Sequence, residues 1–171
     1  LPANQAVALH PDLDYCAVDA APAGREAVLV VARARLEAVW KALGGSGAPE
    51  VLSSWKGRQL AEAGLVCGTP FSDKEGFPWT ESRVVLADYV TAEDGTGAVH
   101  TAPGHGADDY LTALREKLPV VCPVDGAGRY TSELPAAFAG THIFAKGADG
   151  APSGNDLVCE MLAASGRLLA K

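Results

Sequence analysis

The sequence predicts a mixed β fold with helices: a small β-barrel or mixed sheet with about three helices inserted between short strands. One observation is that strand and helix signals alternate irregularly along 171 residues, without an internal repeat. A second is the composition, since 48% apolar and 20% charged residues are typical of a folded chain. The length suits one domain. We therefore expect a single domain over 1–171, excised from a larger protein because Leu1 is not an initiator Met.

The first half of the chain predicts two strands and a helix. Residues 15–18 and 27–31 are short apolar runs typical of strands. The next segment, 32–43, is predicted to be a helix that ends at the following glycines. Its apolar residues recur at i, i+3, i+4 and i+7: Leu36, Val39, Trp40 and Leu43. Residues 46–81 are rich in turn formers, so we expect an irregular surface excursion there.

The second half predicts strands at 83–90 and 97–101, followed by a tight turn. We expect a helix over 107–118 that buries four apolar residues: Tyr110, Leu111, Leu114 and Leu118. Two more strands are predicted at 120–124 and 141–144. A last helix begins near Asn155 and ends at Gly166, and it is predicted to bury Leu157, Val158, Met161 and Leu162.

Charge and cysteine content exclude several classes of protein. The net charge of −7 disfavours a main phosphate-binding surface, because nucleic-acid binding is driven by clustered Lys and Arg. No pair of the four cysteines has the CxxC spacing, which makes a structural zinc site improbable. We interpret them as reduced core residues of an intracellular protein. The longest apolar run, 27–32, is far too short for a membrane span, so no membrane partner is expected.

Generic catalytic motifs are absent or incomplete. Residues 44–48 lack one glycine of a nucleophile elbow and follow a helix instead of a strand. The glycines at 95–97 and 104–106 have no P-loop lysine. His100 and His105 are five residues apart across a turn, which disfavours a helical metal pair even with Asp108 or Asp109 as a third ligand. We therefore predict no metal and no cofactor.

One stretch, residues 95–110, combines two histidines, four glycines and an acidic pair at a predicted strand–turn–helix junction. The acidic pair, Asp108 and Asp109, could simply complement the positive end of the helix. A junction of this kind also forms a rigid site, since its backbone N–H groups can hold an oxyanion and a carboxylate can hold an ammonium group. Both interpretations stay open on the residues alone.

This stretch closely resembles the editing-domain signature of isoleucyl-tRNA synthetases, GTG-x-VHTAPGHG-x-DDY. The resemblance extends over nearly the whole chain, from 1–8 to the closing helix at 155–169. Where this chain has His100, valyl enzymes have Lys and leucyl enzymes usually have Met. Both of these groups then have Pro-Ala-His-Asp where this chain has Pro-Gly-His-Gly at 103–106. The implied fold is the small β-barrel-like editing domain of this synthetase group, decorated by helices.

The resemblance implies post-transfer editing, which is hydrolysis of the ester in Val-tRNA mischarged on isoleucine tRNA. A pocket gains only about 1–3 kcal/mol of binding free energy from one methylene, so a site built for isoleucine also accepts some valine. Isoleucyl-tRNA synthetase is itself the standard example of this limit. The implied partners are the aminoacylated 3′ end of isoleucine tRNA, valine and the catalytic body of the parent synthetase. We expect a monomer in the cytoplasm, with an organellar parent left open.

The resemblance also implies residue roles. Asp109 matches the carboxylate that holds the α-ammonium group of the substrate. His100 matches the residue that lines and limits the amino-acid pocket. Asn4 matches an asparagine near the terminal adenosine and the scissile ester. The expected pocket walls or turn residues are Thr101, Gly104 and His105.

Three alternatives remain at this point. A valyl-type editing domain would clear threonine, although His100 and the residues at 103–106 argue against it. A module could bind the substrate without hydrolysing it, since the family's threonine-rich strand, expected directly before Leu1, is absent from this sequence. An unrelated metallohydrolase is the third alternative.

Overall fold

The computed structural model describes residues 1–169, apart from the Pro22 side chain, so the end of the predicted domain at 170–171 lies outside it. Seven strands form two sheets: β1 Ala6–Leu9, β2 Asp14–Asp19, β3 Val28–Ala32, β4 Val51–Lys56, β5 Val66–Gly68, β6 Glu81–Leu86 and β7 Ala98–Thr101. The α-helices are α1 Leu36–Ala42, α2 Gly57–Glu62, α3 Ala107–Glu116 and α4 Gly154–Ala164. Short 3-10 helices cover Ala21–Ala23 and Arg33–Arg35. The mixed fold is confirmed, and within 1–169 the sheets do not close into a barrel.

The larger sheet positions the start of the candidate site. Its strand order is β5-β6-β1-β7, so β1 lies between two partners. Val7 of β1 pairs with Val84 of the parallel strand β6 and with His100 of the antiparallel strand β7. This register fixes His100 on the β7 edge of the sheet.

The smaller sheet has the order β3-β2-β4 and packs against the larger one. The Tyr15 hydroxyl of β2 donates a 2.7 Å hydrogen bond to the Gly97 carbonyl, immediately before β7. Gly97 has φ +74°, and a Cβ there would lie 2.3 Å from Ala32 Cβ. Only glycine therefore allows β7 to begin so close to β3.

An aromatic core lies beneath α4. The Phe71 and Phe77 rings stack with centroids 4.6 Å apart, and the Tyr130 ring meets the Phe138 ring edge-on at 5.6 Å. The buried members of this cluster are Phe71, Phe77, Tyr130, Leu134, Phe138, Val158 and Leu162. Four residues of α4 were predicted to be buried. Val158 and Leu162 belong to this cluster, and Leu157 and Met161 are half-buried against it.

Several elements differ from the sequence predictions. Residues 46–81 were expected to be irregular, but they contain β4, α2 and β5. Their strands are short and exposed on one side, so they lack the long apolar runs that indicate a strand. The predicted strands at 120–124 and 141–144 form only isolated bridges, Val124 with Tyr130 and Arg129 with His142.

The apolar residues of α3 are not buried as predicted. Tyr110 is 44% exposed, Leu111 63% and Leu114 55%, whereas Thr112 and Ala113 are buried. The periodicity correctly predicts the helix, but the face that contacts the sheet is the one carrying small residues. Leu118 is half-buried against the cluster around β1 and β6.

The cysteines are unpaired within the described residues, but they are not all core residues. Cys16 is buried in the smaller sheet, Cys67 and Cys159 are half-buried, and Cys122 is exposed. The core interpretation is therefore wrong for Cys122. Its apolar neighbours are half-buried (Val121) and fully buried (Pro123), so a short apolar run of this kind does not reveal which of its residues faces solvent.

We expect Leu114→Ala to change the free energy of unfolding by less than about 0.5 kcal/mol, because the side chain is exposed. The matched variant Leu162→Ala, in the buried aromatic core, should cost about 2–5 kcal/mol. Urea unfolding of both variants measures the difference. Equal losses would contradict the observed orientation of α3.

Candidate functional site at the junction of strand β7 and helix α3

A tight turn connects β7 to α3. The His105 N–H donates to the Ala102 carbonyl at 2.9 Å and closes the turn. A Cβ on Gly104 would lie 2.3 Å from the Val121 carbonyl oxygen, so glycine is required where the turn packs against residues 121–122. A Cβ on Gly106 would come within 3.3 Å of Asp109 Cγ. The glycines therefore let the turn fold closely around one carboxylate.

The Asp109 carboxylate links the two elements. Its Oδ2 atom accepts a 2.9 Å hydrogen bond from the Ala102 N–H, and its Oδ1 atom accepts one at 3.5 Å from the Tyr89 hydroxyl. Asp109 lies in the first turn of α3, where the helix dipole favours a negative charge. Because an ionised carboxylate offers about four lone pairs, it keeps capacity for a further donor.

A cleft of about 150 Å³ lies at this junction and is lined by Ala102, the residue that donates to the Asp109 carboxylate, but not by Asp109 itself. The junction contributes Ala102 and two imidazoles, His100 and His105, while distant parts of the chain supply the remaining walls. These other residues are Leu1, Pro2, Ala3, Pro123, Val124, Tyr130, Ile143 and Asn155. A cavity of roughly 150 Å³ holds a molecule of the size of benzene. The space therefore suits a small apolar side chain.

The electrostatics of the cleft favour neutral imidazoles. Desolvation by the surrounding protein is the main cause that lowers the pKa of His100, and the neighbouring His105 lowers it further. Desolvation is also the main cause that lowers the pKa of His105. The negative charge of the Asp109 carboxylate partly offsets this effect, because it raises the pKa of both histidines. At neutral pH each imidazole therefore keeps one nitrogen that can accept a hydrogen bond.

The remaining predicted site residues lie outside the cleft. Asn4 is buried, and its Nδ2 atom donates to Ser82 Oγ at 2.7 Å while its Oδ1 atom has no partner within the described residues. Thr101 is fully buried, and its Oγ1 atom is likewise unpaired. Gly104 packs against Val121 and does not line the cleft. Of the six predicted residues, the structure brings His100 and His105 into one cleft, with Asp109 directly behind Ala102.

Sequence reasoning missed several residues of the site. Tyr130, Ile143 and Asn155 line the cleft, and Tyr89 contacts Asp109. Burial raises the pKa of the Tyr130 hydroxyl, so this group stays protonated and can donate. No motif marks these residues, because they reach the cleft through packing that involves distant parts of the chain.

Residues 1–169 contain neither a cluster suited to a metal ion nor a helix suited to a membrane span. No group of three or more His, Cys, Asp or Glu in this range is placed to hold a metal ion. None of the helices described here is long and apolar enough to cross a bilayer.

Comparison with known proteins identifies the sequence family. The chain is 41% identical over 170 residues to the isoleucine–tRNA ligase of Thiobacillus denitrificans and 38% identical over 169 residues to that of Kosmotoga olearia, and each match covers 99% of the chain. The chain belongs to the isoleucine–tRNA ligase family. It spans 16% of the length of these two relatives. No protein-family model matches it.

A solved structure supports the fold. The crystal structure of GlLeuRS-CP1 matches 68% of this chain and 41% of its own length, with a TM-score of 0.50 and 19% identity. At this identity the likeness concerns the fold alone.

The histidines of the cleft should titrate below their usual pKa of 6.5, because desolvation disfavours the charged imidazole. The unfolded chain then binds protons more readily than the folded one as the pH falls below 6.5. The free energy of unfolding is therefore highest above pH 6.5 and decreases until the pH has passed the lowered pKa values of the folded state. NMR titration of the imidazole signals, assigned with His100→Gln and His105→Gln, measures both midpoints. Midpoints above 6.5 would contradict this description of the cleft.

Proposed function

We propose that residues 1–171 form an editing domain that hydrolyses the ester of Val-tRNA mischarged on isoleucine tRNA. The observation that supports this most directly is a cleft of about 150 Å³ beside a fixed carboxylate. The cleft is walled by neutral imidazoles, and the carboxylate is within electrostatic reach of both. Membership of the isoleucine–tRNA ligase family supplies the context.

The size of the cleft fits the chemical problem that such a domain solves. The aminoacylation site of a synthetase gains too little binding free energy from one methylene to exclude valine. A second site therefore has to admit valine and reject isoleucine. Forcing an extra methylene into a packed site costs about 1–3 kcal/mol. His100 lies on the wall of the cleft, where it can impose this limit.

The proposed mechanism uses few groups of the protein. Asp109 holds the α-ammonium group of the valyl ester while it keeps its hydrogen bond to Ala102. His100 limits the side-chain pocket and, as a neutral imidazole, helps to position the attacking water. The water adds to the ester carbonyl and the ribose oxygen leaves with a proton, which yields valine and free tRNA. The neighbouring ribose hydroxyl assists the water, and no metal or cofactor is used.

The partners follow from this reaction. They are the 3′ end of isoleucine tRNA, valine as the non-cognate amino acid, and the catalytic body of a longer synthetase in the cytoplasm. His105 keeps its proposed place beside the substrate, whereas Asn4, Thr101 and Gly104 lie outside the cleft and are proposed to act only by supporting its walls.

Asp109→Asn should reduce hydrolysis of Val-tRNA about 10- to 100-fold. The variant loses a charge-assisted contact worth about 1.5–3 kcal/mol, yet the amide oxygen can still accept from Ala102. The matched control is Asp108→Asn, which removes the same charge from the neighbouring exposed residue. Deacylation is measured in the Thiobacillus denitrificans ligase carrying this segment in place of its own. Equal rates for the two variants would remove Asp109 from the mechanism.

His100→Ala should change the preference between substrates. Truncation opens space for one methylene, so the variant should hydrolyse correctly charged Ile-tRNA, which the parent spares. The measurement is the ratio of Ile-tRNA to Val-tRNA deacylation rates in the same chimera. His105→Ala is the comparison, because it removes the other imidazole of the cleft. If His100→Ala slows both reactions equally, His100 does not set the size limit.

A further inference from the structure

The cleft contains a tyrosine hydroxyl that has no partner in the protein. Tyr130 lines the cleft and is only 7% exposed. Its hydroxyl forms no hydrogen bond with any residue of the range 1–169, and unlike the indole N–H of Trp40 it is not sealed from solvent. Polar groups of buried side chains are usually hydrogen-bonded. The Tyr130 hydroxyl is therefore available to a molecule that enters the cleft.

The Tyr130 ring is held in a fixed position. It meets the Phe138 ring edge-on with the centroids 5.6 Å apart, and it lies so close to Gly154 that a Cβ there would overlap it. The Tyr130 N–H donates to the Thr141 carbonyl at 3.0 Å, and the Tyr130 carbonyl accepts from the Gly140 N–H at 2.8 Å. A donor that is fixed before the substrate binds needs no reorganisation during the reaction.

A second side chain of the cleft is also unused. Asn155 lies in the first turn of α4 and lines the cleft. Its backbone N–H donates to the Ile143 carbonyl at 3.0 Å, but its side-chain amide forms no hydrogen bond within the described part of the chain. An Asn amide has two N–H donors. Tyr130 and Asn155 therefore give the cleft side-chain donors that the fold itself does not need.

The proposed hydrolysis still lacks a group that stabilises the ester carbonyl oxygen. This oxygen becomes negative when water adds to the carbonyl carbon, and donors aimed at such an oxyanion are a main source of catalysis. The backbone N–H groups of Ala102 and His105, which line the cleft, are already used. That of Ala102 donates to Asp109, and that of His105 donates to the Ala102 carbonyl.

We propose that the Tyr130 hydroxyl and the Asn155 amide donate hydrogen bonds to the carbonyl oxygen of the bound ester while water adds to it. The inference rests on the proposed function and assigns its oxyanion-binding groups. Because burial raises the pKa of the Tyr130 hydroxyl, this group remains a donor at neutral pH.

Both donors keep their own protons throughout the reaction. The water oxygen forms a bond to the carbonyl carbon, and the C=O electron pair moves onto the carbonyl oxygen. This pair then restores the C=O bond as the bond to the ribose oxygen breaks. The ribose oxygen takes one proton of the water, and the other is released to solvent.

Tyr130→Phe tests the hydroxyl, because it keeps the ring that packs in the aromatic core. In the Thiobacillus denitrificans ligase carrying this segment, the variant should lower kcat for Val-tRNA hydrolysis about 100-fold, as expected for the loss of one oxyanion donor. KM should change little, since the contact strengthens in the transition state. Tyr110→Phe is the matched control, because Tyr110 is exposed and does not line the cleft, so its kcat should equal that of the parent. The midpoint of urea unfolding should be the same for all three proteins.

Asn155→Asp separates hydrogen-bond donation from a structural role. A carboxylate cannot donate and repels the oxyanion, so this variant should hydrolyse Val-tRNA more slowly than Asn155→Ala. A purely structural role predicts the reverse order, because an acidic residue in the first turn of α4 favours the helix.

Two results would overturn the inference and leave the proposed function intact. One is an unchanged kcat in Tyr130→Phe, and the other is hydrolysis by Asn155→Asp that is at least as fast as by Asn155→Ala. If the chimera without these substitutions leaves Val-tRNA intact, the proposed function fails, and this inference fails with it.

Discussion

The hydrogen bond from the Ala102 N–H to the Asp109 carboxylate is the contact on which the candidate site depends. It joins the last residues of β7 to the first turn of α3, so the imidazole of His100 and the carboxylate keep a fixed relation. A Cβ on Gly106 would come within 3.3 Å of the same carboxylate, whereas glycine is required at 104 by the Val121 carbonyl oxygen. Removing the whole carboxylate would therefore disturb the turn as well as the charge, whereas an amide in its place separates the two effects.

The sequence predicts the local features of this fold better than its long-range contacts. The strand at 97–101, the turn after it and the helix from 107 are encoded within one short stretch, and the structure forms all three. The face of α3 is not encoded there, because it depends on the shape of the sheet beneath the helix. The buried face of α3 carries Ala113 and Leu111 is exposed, although hydrophobicity alone predicts the opposite.

The far wall of the cleft shows a second limit of sequence reasoning. Tyr130 and Ile143 follow His100 only after α3 and a long irregular segment, and the aromatic core under α4 brings them back to β7. Neither the spacing nor the type of these residues marks them as part of a site. The motif at 95–110 therefore predicts the chemical groups of the cleft but not its size, and size is what an editing pocket has to control.

Charge in the cleft connects these observations. If the proposed substrate enters with its α-ammonium group, a protonated His100 would compete with that group for the Asp109 carboxylate. Desolvation prevents this competition, because it lowers the pKa of His100 and keeps the imidazole neutral at physiological pH. Under the proposed function, recognition of the α-ammonium group therefore depends on this desolvation, because it leaves the Asp109 carboxylate available to the substrate.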